Sequence, residues 1–276
     1  MVHVFSAEEC KRRWDNDGWC VFERLIPADV LEAAQRALCG VFLTAEEFAD
    51  QLDAGRISPF VSTRGVPQLR FPFEYDALND VALNDSVIDL AERLLALKDI
   101  GLFQAAVTAK YSNGALYDEQ RHHVDPPSDA SGLPRADPGD QHVTMFIYLS
   151  DVTPETAATR VLSRGATAGI PIERGYLPVD EFSKLYALEQ PASGPAGSVF
   201  VYSRDVFHRG VAVTAPRSAR FVVAVAFEPS ANIKRRSGAF DAGAQTGAWH
   251  RLTRRATERQ LGILGLLNQA TAPLDL

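Results

Sequence analysis

Cysteine is scarce in this chain and confined to its beginning: Cys10, Cys20 and Cys39 are the only three. An odd count near one end does not suit a disulfide framework, so a reducing, cytoplasmic setting is expected. Each thiol reads as a small, mostly apolar packing group. The chain also lacks an apolar run long enough to cross a bilayer. Its N-terminus turns polar at Ala7-Glu8-Glu9-Cys10-Lys11-Arg12-Arg13, so no signal peptide is read there. Positive charge is not in excess, with 28 Lys and Arg against 35 Asp and Glu. That balance argues against nucleic acid as a partner. Internal repeats, low-complexity tracts and interdomain linkers are missing too. The expectation is one domain over residues 1–276, long enough to bury a substantial core.

What is present divides into a helical front, about 1–98, a strand-rich body, about 99–230, and a C-terminal helical segment, about 250–270. Ser6-Ala7-Glu8-Glu9 reads as a helix start, with the helix running to Asn16-Asp17-Gly18. Trp19 to Phe22 suits a short buried strand. Pro27 opens a helix from Ala28 to about Leu38, with Gly40 as its expected stop. Residues 44–54 suggest a short acidic helix, 56–80 a long loop, and Asp85 the cap of a helix through Leu94-Leu95. Strand character then appears over 102–111, 142–149, 198–202, 206–213 and 220–227. The Pro-, Gly- and Asp-rich stretch 125–140 reads equally as an active-site lid or a surface insertion. Thr257 to Asn268 suits a last amphipathic helix. A β-barrel or sandwich wrapped by N-terminal helices is the simplest assembly.

His123-Val124-Asp125, then His208, then Arg217 and Arg220, carry the chemistry. In a strand, positions two apart point to the same side, so His123 and Asp125 can aim at one atom. A second imidazole from a distant strand completes two histidines and one carboxylate. That set holds Fe(II) on one face and leaves the other open. A following guanidinium can grip a carboxylate through a bidentate fork. By the same parity His122 faces away. His3, His142 and His250 read as ordinary polar or packing residues. A zinc hydrolase would need further ligands at short spacing, which are not seen.

Several segments resemble the phytanoyl-CoA dioxygenase family of Fe(II)- and 2-oxoglutarate-dependent oxygenases. They are Asp17-Gly18-Trp19-Cys20-Val21-Phe22 with Pro27, Ala109-Lys110-Tyr111-Ser112-Asn113-Gly114, Tyr148-Leu149-Ser150-Asp151-Val152-Thr153, and Gly197 to Tyr202 with His208-Arg209-Gly210. The resemblance spans roughly residues 6 to 230. It implies a mainly β fold with flanking helices, a double-stranded β-helix (jelly-roll, cupin-like) barrel. It also implies His123, Asp125 and His208 as iron ligands. Arg220 or Arg217 would bind the far carboxylate of 2-oxoglutarate. Arg220 is preferred because it opens a strand whose same-face neighbours, Val222, Ala224 and Ala226, are small. Gln104 and Thr108 are carried over as cosubstrate contacts. Residues 156–166 depart from the family pattern, so no relative's substrate transfers.

The resemblance implies Fe(II), with 2-oxoglutarate and O2 as cosubstrates, and hydroxylation of an unactivated C–H bond of a small molecule with release of succinate and CO2. The substrate could be a thioester or a biosynthetic intermediate. Because Asp125 occupies the place a halide needs, halogenation is disfavoured. Desaturation, cyclisation, a non-oxygenase metal-binding barrel and a silent binding protein on the same fold remain open.

Overall fold

The computed structural model describes residues 7–64, 71–114, 119–125, 141–234 and 247–267. Apart from Asp125, the stretch read as a lid or insertion lies outside the described residues.

The strands are β1 (Trp19–Phe22), β2 (Ile100–Tyr111), β3 (His122–His123), β4 (Val143–Tyr148), β5 (Arg160–Val161), β6 (Tyr176–Leu177), β7 (Gln190–Pro191), β8 (Val199–Ser203), β9 (His208–Arg209) and β10 (Ala219–Pro229). They form two five-stranded sheets. The major sheet runs β1-β8-β4-β10-β2 and the minor one β6-β3-β9-β5-β7. Every pairing in both is antiparallel. This is the double-stranded β-helix that the resemblance implied.

The helices are α1 (Ala7–Asp17), α2 (Ala28–Val41), α3 (Ala45–Asp53), α4 (Asp76–Ala82), α5 (Asp85–Leu95), α6 (Val179–Tyr186), α7 (Ser230–Lys234), α8 (Gly247–Arg255) and α9 (Glu258–Ile263). None in the described residues is long and apolar enough to cross a membrane.

Alternation along the major sheet sorts its residues into two faces. Val143, Met145, Ile147, Val199, Val201, Val223, Val225 and Phe227 join one large core with residues of α2, α3, α4 and α5. The other parity faces a cavity of about 500 Å³, with Thr144 and Phe146 on β4, Tyr202 on β8 and Arg220, Ala224 and Ala226 on β10. The helices therefore back one face of the sheet, while the inner face combines a second apolar cluster around Trp19, Tyr148 and Phe200 with the small, aromatic and polar side chains that line the cavity.

Some boundaries differ from expectation. α2 runs through Gly40 to Val41. A Cβ at Gly40 would lie 2.4 Å from the Tyr75 hydroxyl oxygen, and that hydroxyl donates to the Gly40 carbonyl. Close approach, not chain reversal, is what this glycine serves. The cap of α5 is Asn84, whose side chain accepts from Ser86 N–H. The strand expected over 206–213 pairs only at His208–Arg209. The helix expected from Thr257 does start there, with a Thr257–Gln260 capping box, but ends at Ile263, and α8 precedes it as a separate helix.

Candidate metal and cosubstrate centre

Two chain segments, β3 with the residues just after it and β9, bring His123, Asp125 and His208 together. β3 and β9 are adjacent, with His123 directly opposite His208, and their rings lie 4.5 Å apart. β3 stops at His123, so Asp125 reaches the site from just beyond the strand rather than from within it. One ligand atom from each of the three lies within 4.8 Å of the others. Asp125 Oδ1 is 3.6 Å from His208 Nε2.

Both imidazoles are held in the same manner. His123 Nδ1 is 3.0 Å from the Arg121 carbonyl oxygen, and His208 Nδ1 is 3.0 Å from the Val206 carbonyl oxygen. A carbonyl only accepts, so each Nδ1 carries the proton and each Nε2 keeps its lone pair. Burial pushes His208 below the usual histidine range, against the pull of Asp125, which favours the neutral, ligating form. Two neutral imidazoles and one carboxylate fit a divalent first-row metal such as iron.

Arg220 lies at one end of the cavity and is buried. Its Nη1 donates to the Ala157 carbonyl, while its Nε has no hydrogen-bond partner. Among the described residues no carboxylate forms an ion pair with it. Burial lowers its proton affinity, with only Tyr148 opposing. A buried guanidinium so placed calls for an anion. Lys110 stands beside it in register on β2, lines the same cavity and donates from Nζ to the Val211 carbonyl at 3.0 Å. Sequence reasoning passed over this lysine, although its parity with Gln104 and Thr108 was visible. The segment that departs from the family pattern supplies Ala157 to Arg220, and its Val161 pairs with His208.

Arg217 is elsewhere. It is an exposed turn residue with φ 48°, reaching Glu46 and, at 2.6 Å, Asp50 on α3. Gln104 and Thr108 both line the cavity. A register shift between β2 and β10 near Ala226 lets Phe103 face it as well.

His122 turns away from the centre. Its Nε2 lies 2.9 Å from Glu189, which also accepts from Arg209. His142, expected to be an ordinary polar or packing residue, lines the cavity, with Nδ1 2.9 Å from Glu228 and Nε2 2.9 Å from the Thr144 hydroxyl. Arg204 pairs with the same buried Glu228 at 2.8 Å. The Tyr202 hydroxyl donates to Asp125 Oδ2 at 3.0 Å. Burial first, and then the Asp125 charge, hold that phenol well above the usual tyrosine range, so it stays a donor.

No family model matches the chain, and no curated sequence matches it at a significant level. Solved structures do. The chain is similar to the non-haem, α-ketoglutarate-dependent epimerase SnoN of nogalamycin biosynthesis, at 15% identity and TM-score 0.55, over 80% of this chain and 82% of that one. SnoN has also been solved with Fe3+, α-ketoglutarate and nogalamycin RO. EctD from S. alaskensis gives 16% identity and TM-score 0.56, over 83% and 78% of the two chains. HygX from Streptomyces hygroscopicus, solved with nickel and 2-oxoglutarate, gives 14% identity and TM-score 0.52, over 82% and 87%. By fold, the chain stands with these double-stranded β-helix proteins, among them metal- and 2-oxoglutarate-binding ones.

Proposed function

We propose that the protein is an Fe(II)- and 2-oxoglutarate-dependent dioxygenase that hydroxylates a C–H bond of a small molecule. The observation that carries this reading is Arg220, a buried cation without a carboxylate partner among the described residues, sharing one cavity with His123, Asp125 and His208. His123 and His208 would bind iron through Nε2 and Asp125 through a carboxylate oxygen. Arg220 would fork onto the far carboxylate of 2-oxoglutarate, with Lys110 adding positive charge beside it and Thr108 and Gln104 offering polar contacts along β2. When bound, the metal and cosubstrates supply the oxidation, in which 2-oxoglutarate, O2 and a C–H bond become succinate, CO2 and a C–OH group.

The chain's own residues bind, orient and exclude water. Phe103, Phe146, Ala224 and Ala226 give the substrate an apolar bed. The Thr144 hydroxyl gives it a hydrogen-bonding edge, while both ring nitrogens of His142 are engaged by Glu228 and Thr144 and the charge of Arg204 is already matched by Glu228. That wall suits an apolar skeleton bearing uncharged polar groups. The thioester expectation gains no support from the neighbours, and the proposal is confined to a free small molecule. The three free thiols keep a cytoplasmic setting within the proposal.

The test is a succinate-release screen over small metabolites with mass spectrometry of the products. A product heavier by one oxygen atom, dependent on Fe(II) and 2-oxoglutarate, supports hydroxylation. An isomer of unchanged mass would replace hydroxylation with the epimerase chemistry for which SnoN is named. Turnover without 2-oxoglutarate would overturn the oxygenase reading.

A further inference from the structure

We infer that Tyr202 is a positioning residue for the metal, committing Asp125 to bind through one oxygen. The inference rests on the metal reading of His123, Asp125 and His208 above.

The two carboxylate oxygens of Asp125 have different company. Oδ2 accepts the Tyr202 hydroxyl at 3.0 Å, and Oδ1 stands 3.6 Å from His208 Nε2. An oxygen engaged by a phenol has less charge to give a metal, and the bond fixes the carboxylate's rotation. Asp125 needs such a hold, because it lies past the end of β3 and outside the ladder that sets His123 opposite His208. The same tyrosine ring packs on His208, with centroids 4.4 Å apart. One side chain therefore touches two of the three ligands.

Tyr202 is itself hard to move. Its ring is stacked against Phe200 at 5.3 Å and meets the edge of Phe146 at 5.8 Å. On β4 its register partner is Thr144. Thr144 in turn meets His142 Nε2, His142 Nδ1 meets Glu228, and Glu228 pairs with Arg204. A polar network from Thr144 to a buried ion pair thus stands beside Tyr202 in the sheet. Buried ion pairs are weak contributors to stability but good at fixing one geometry. Packing alone would be served equally by phenylalanine at 202, so the hydroxyl marks the positioning role.

Tyr202→Phe keeps the ring and removes only that hydroxyl. Apo-protein is titrated anaerobically with Co(II) alone and with Fe(II) alone. Losing a residue that orients a metal ligand costs about 10–100-fold in metal affinity, and that weakening is expected here. The Co(II) ligand-field bands should also change in intensity, since Oδ2 of Asp125 then loses the phenol that competes with the metal for it. The melting temperature of the apo form should stay near that of the wild type. Wild-type affinity with an unchanged Co(II) spectrum in Tyr202→Phe overturns the inference while leaving the metal site standing. Failure of the wild type to bind either metal overturns the site reading, and this inference with it. If Tyr202→Phe does not fold, Thr144→Val decides, because it removes the adjoining hydroxyl and leaves the ring. A weaker shift in the same direction supports the role, and no shift overturns it.

Discussion

His123 and His208 face each other across one strand pair, and each directs Nδ1 at the carbonyl two residues before it, Arg121 and Val206 respectively. The backbone thus sets the tautomer of both rings before any metal arrives. That leaves Nε2 on each ring for a metal; His208 Nε2 lies 3.6 Å from Asp125 Oδ1, and a ligand atom of His123 lies within 4.8 Å of both residues.

Replacing any of the three should therefore remove the metal and spare the fold. In His123→Ala, Asp125→Ala and His208→Ala, iron content should drop to background and turnover should vanish, with circular dichroism near that of the wild type. Metal content and circular dichroism are measured on the same samples. Full iron occupancy with normal turnover in one variant would remove that residue from the ligand set.

The two arginines should separate cleanly. Arg220→Met should weaken 2-oxoglutarate binding strongly, because a lost buried charge-assisted fork costs about 2–5 kcal/mol, or roughly 30-fold to several-thousand-fold. Apo stability should hold or rise, since the variant no longer buries a cation without a carboxylate partner. Arg217→Ala should leave cosubstrate affinity unchanged, because its partners are Glu46 and Asp50 on the surface. Calorimetric titration with 2-oxoglutarate and thermal melts read both effects. Reversed results would exchange the two assignments.

Gly18 ties the front of the chain to the candidate metal site. It sits at φ 79°, and a Cβ there would come within 2.6 Å of Val206 Cγ2. Val206 is the residue whose carbonyl orients His208. Gly18→Ala should cost about 1–3 kcal/mol from strain and overpacking. It should also weaken metal binding, although Gly18 is not a ligand. Urea unfolding and Co(II) titration of the same variant check both. A loss of stability with unaltered metal affinity would break the proposed link to His208.

Acid should act through Glu189. Burial raises its carboxyl, but Arg209 and His122 outweigh that and hold it down to about 2. A folded value below the unfolded one, ordinarily about 4.3, means the unfolded chain binds more protons in between. The stabilisation is then present above the unfolded value and fades as pH falls toward 2. Glu189→Gln should be less stable than the wild type near neutrality, and the gap should close between about pH 5 and pH 2. A gap that stays constant over that window would show that charge at Glu189 does not matter.

The chain showed its fold wherever a pattern repeats. β2 and β10 are long and rich in strand-forming apolar residues, α2 and α5 carry apolar faces, and Trp19 to Phe22 is a compact apolar run. Two-residue strands such as Arg160–Val161 and Tyr176–Leu177 have no period to read. Gly40 looked like a stop because its partner, Tyr75, lies 35 positions away. The facing of His123, Asp125 and His208 was suggested by order and spacing, although Asp125 arrives from beyond the strand rather than within it. Lys110, His142 and Tyr202 were not legible as site residues. Their place depends on cross-strand register, which pairs Lys110 with Arg220 and Thr144 with Tyr202.

The most direct test of one centre for metal and cosubstrate is an anaerobic titration of the apo-protein with Fe(II) and then 2-oxoglutarate. It is followed by visible absorption in the wild type and in Arg220→Met. The wild type should develop a weak charge-transfer band that saturates at one equivalent of iron. In Arg220→Met the same band should require far more 2-oxoglutarate, with iron binding retained. A wild type that binds iron yet shows no band at any 2-oxoglutarate concentration would contradict the shared centre.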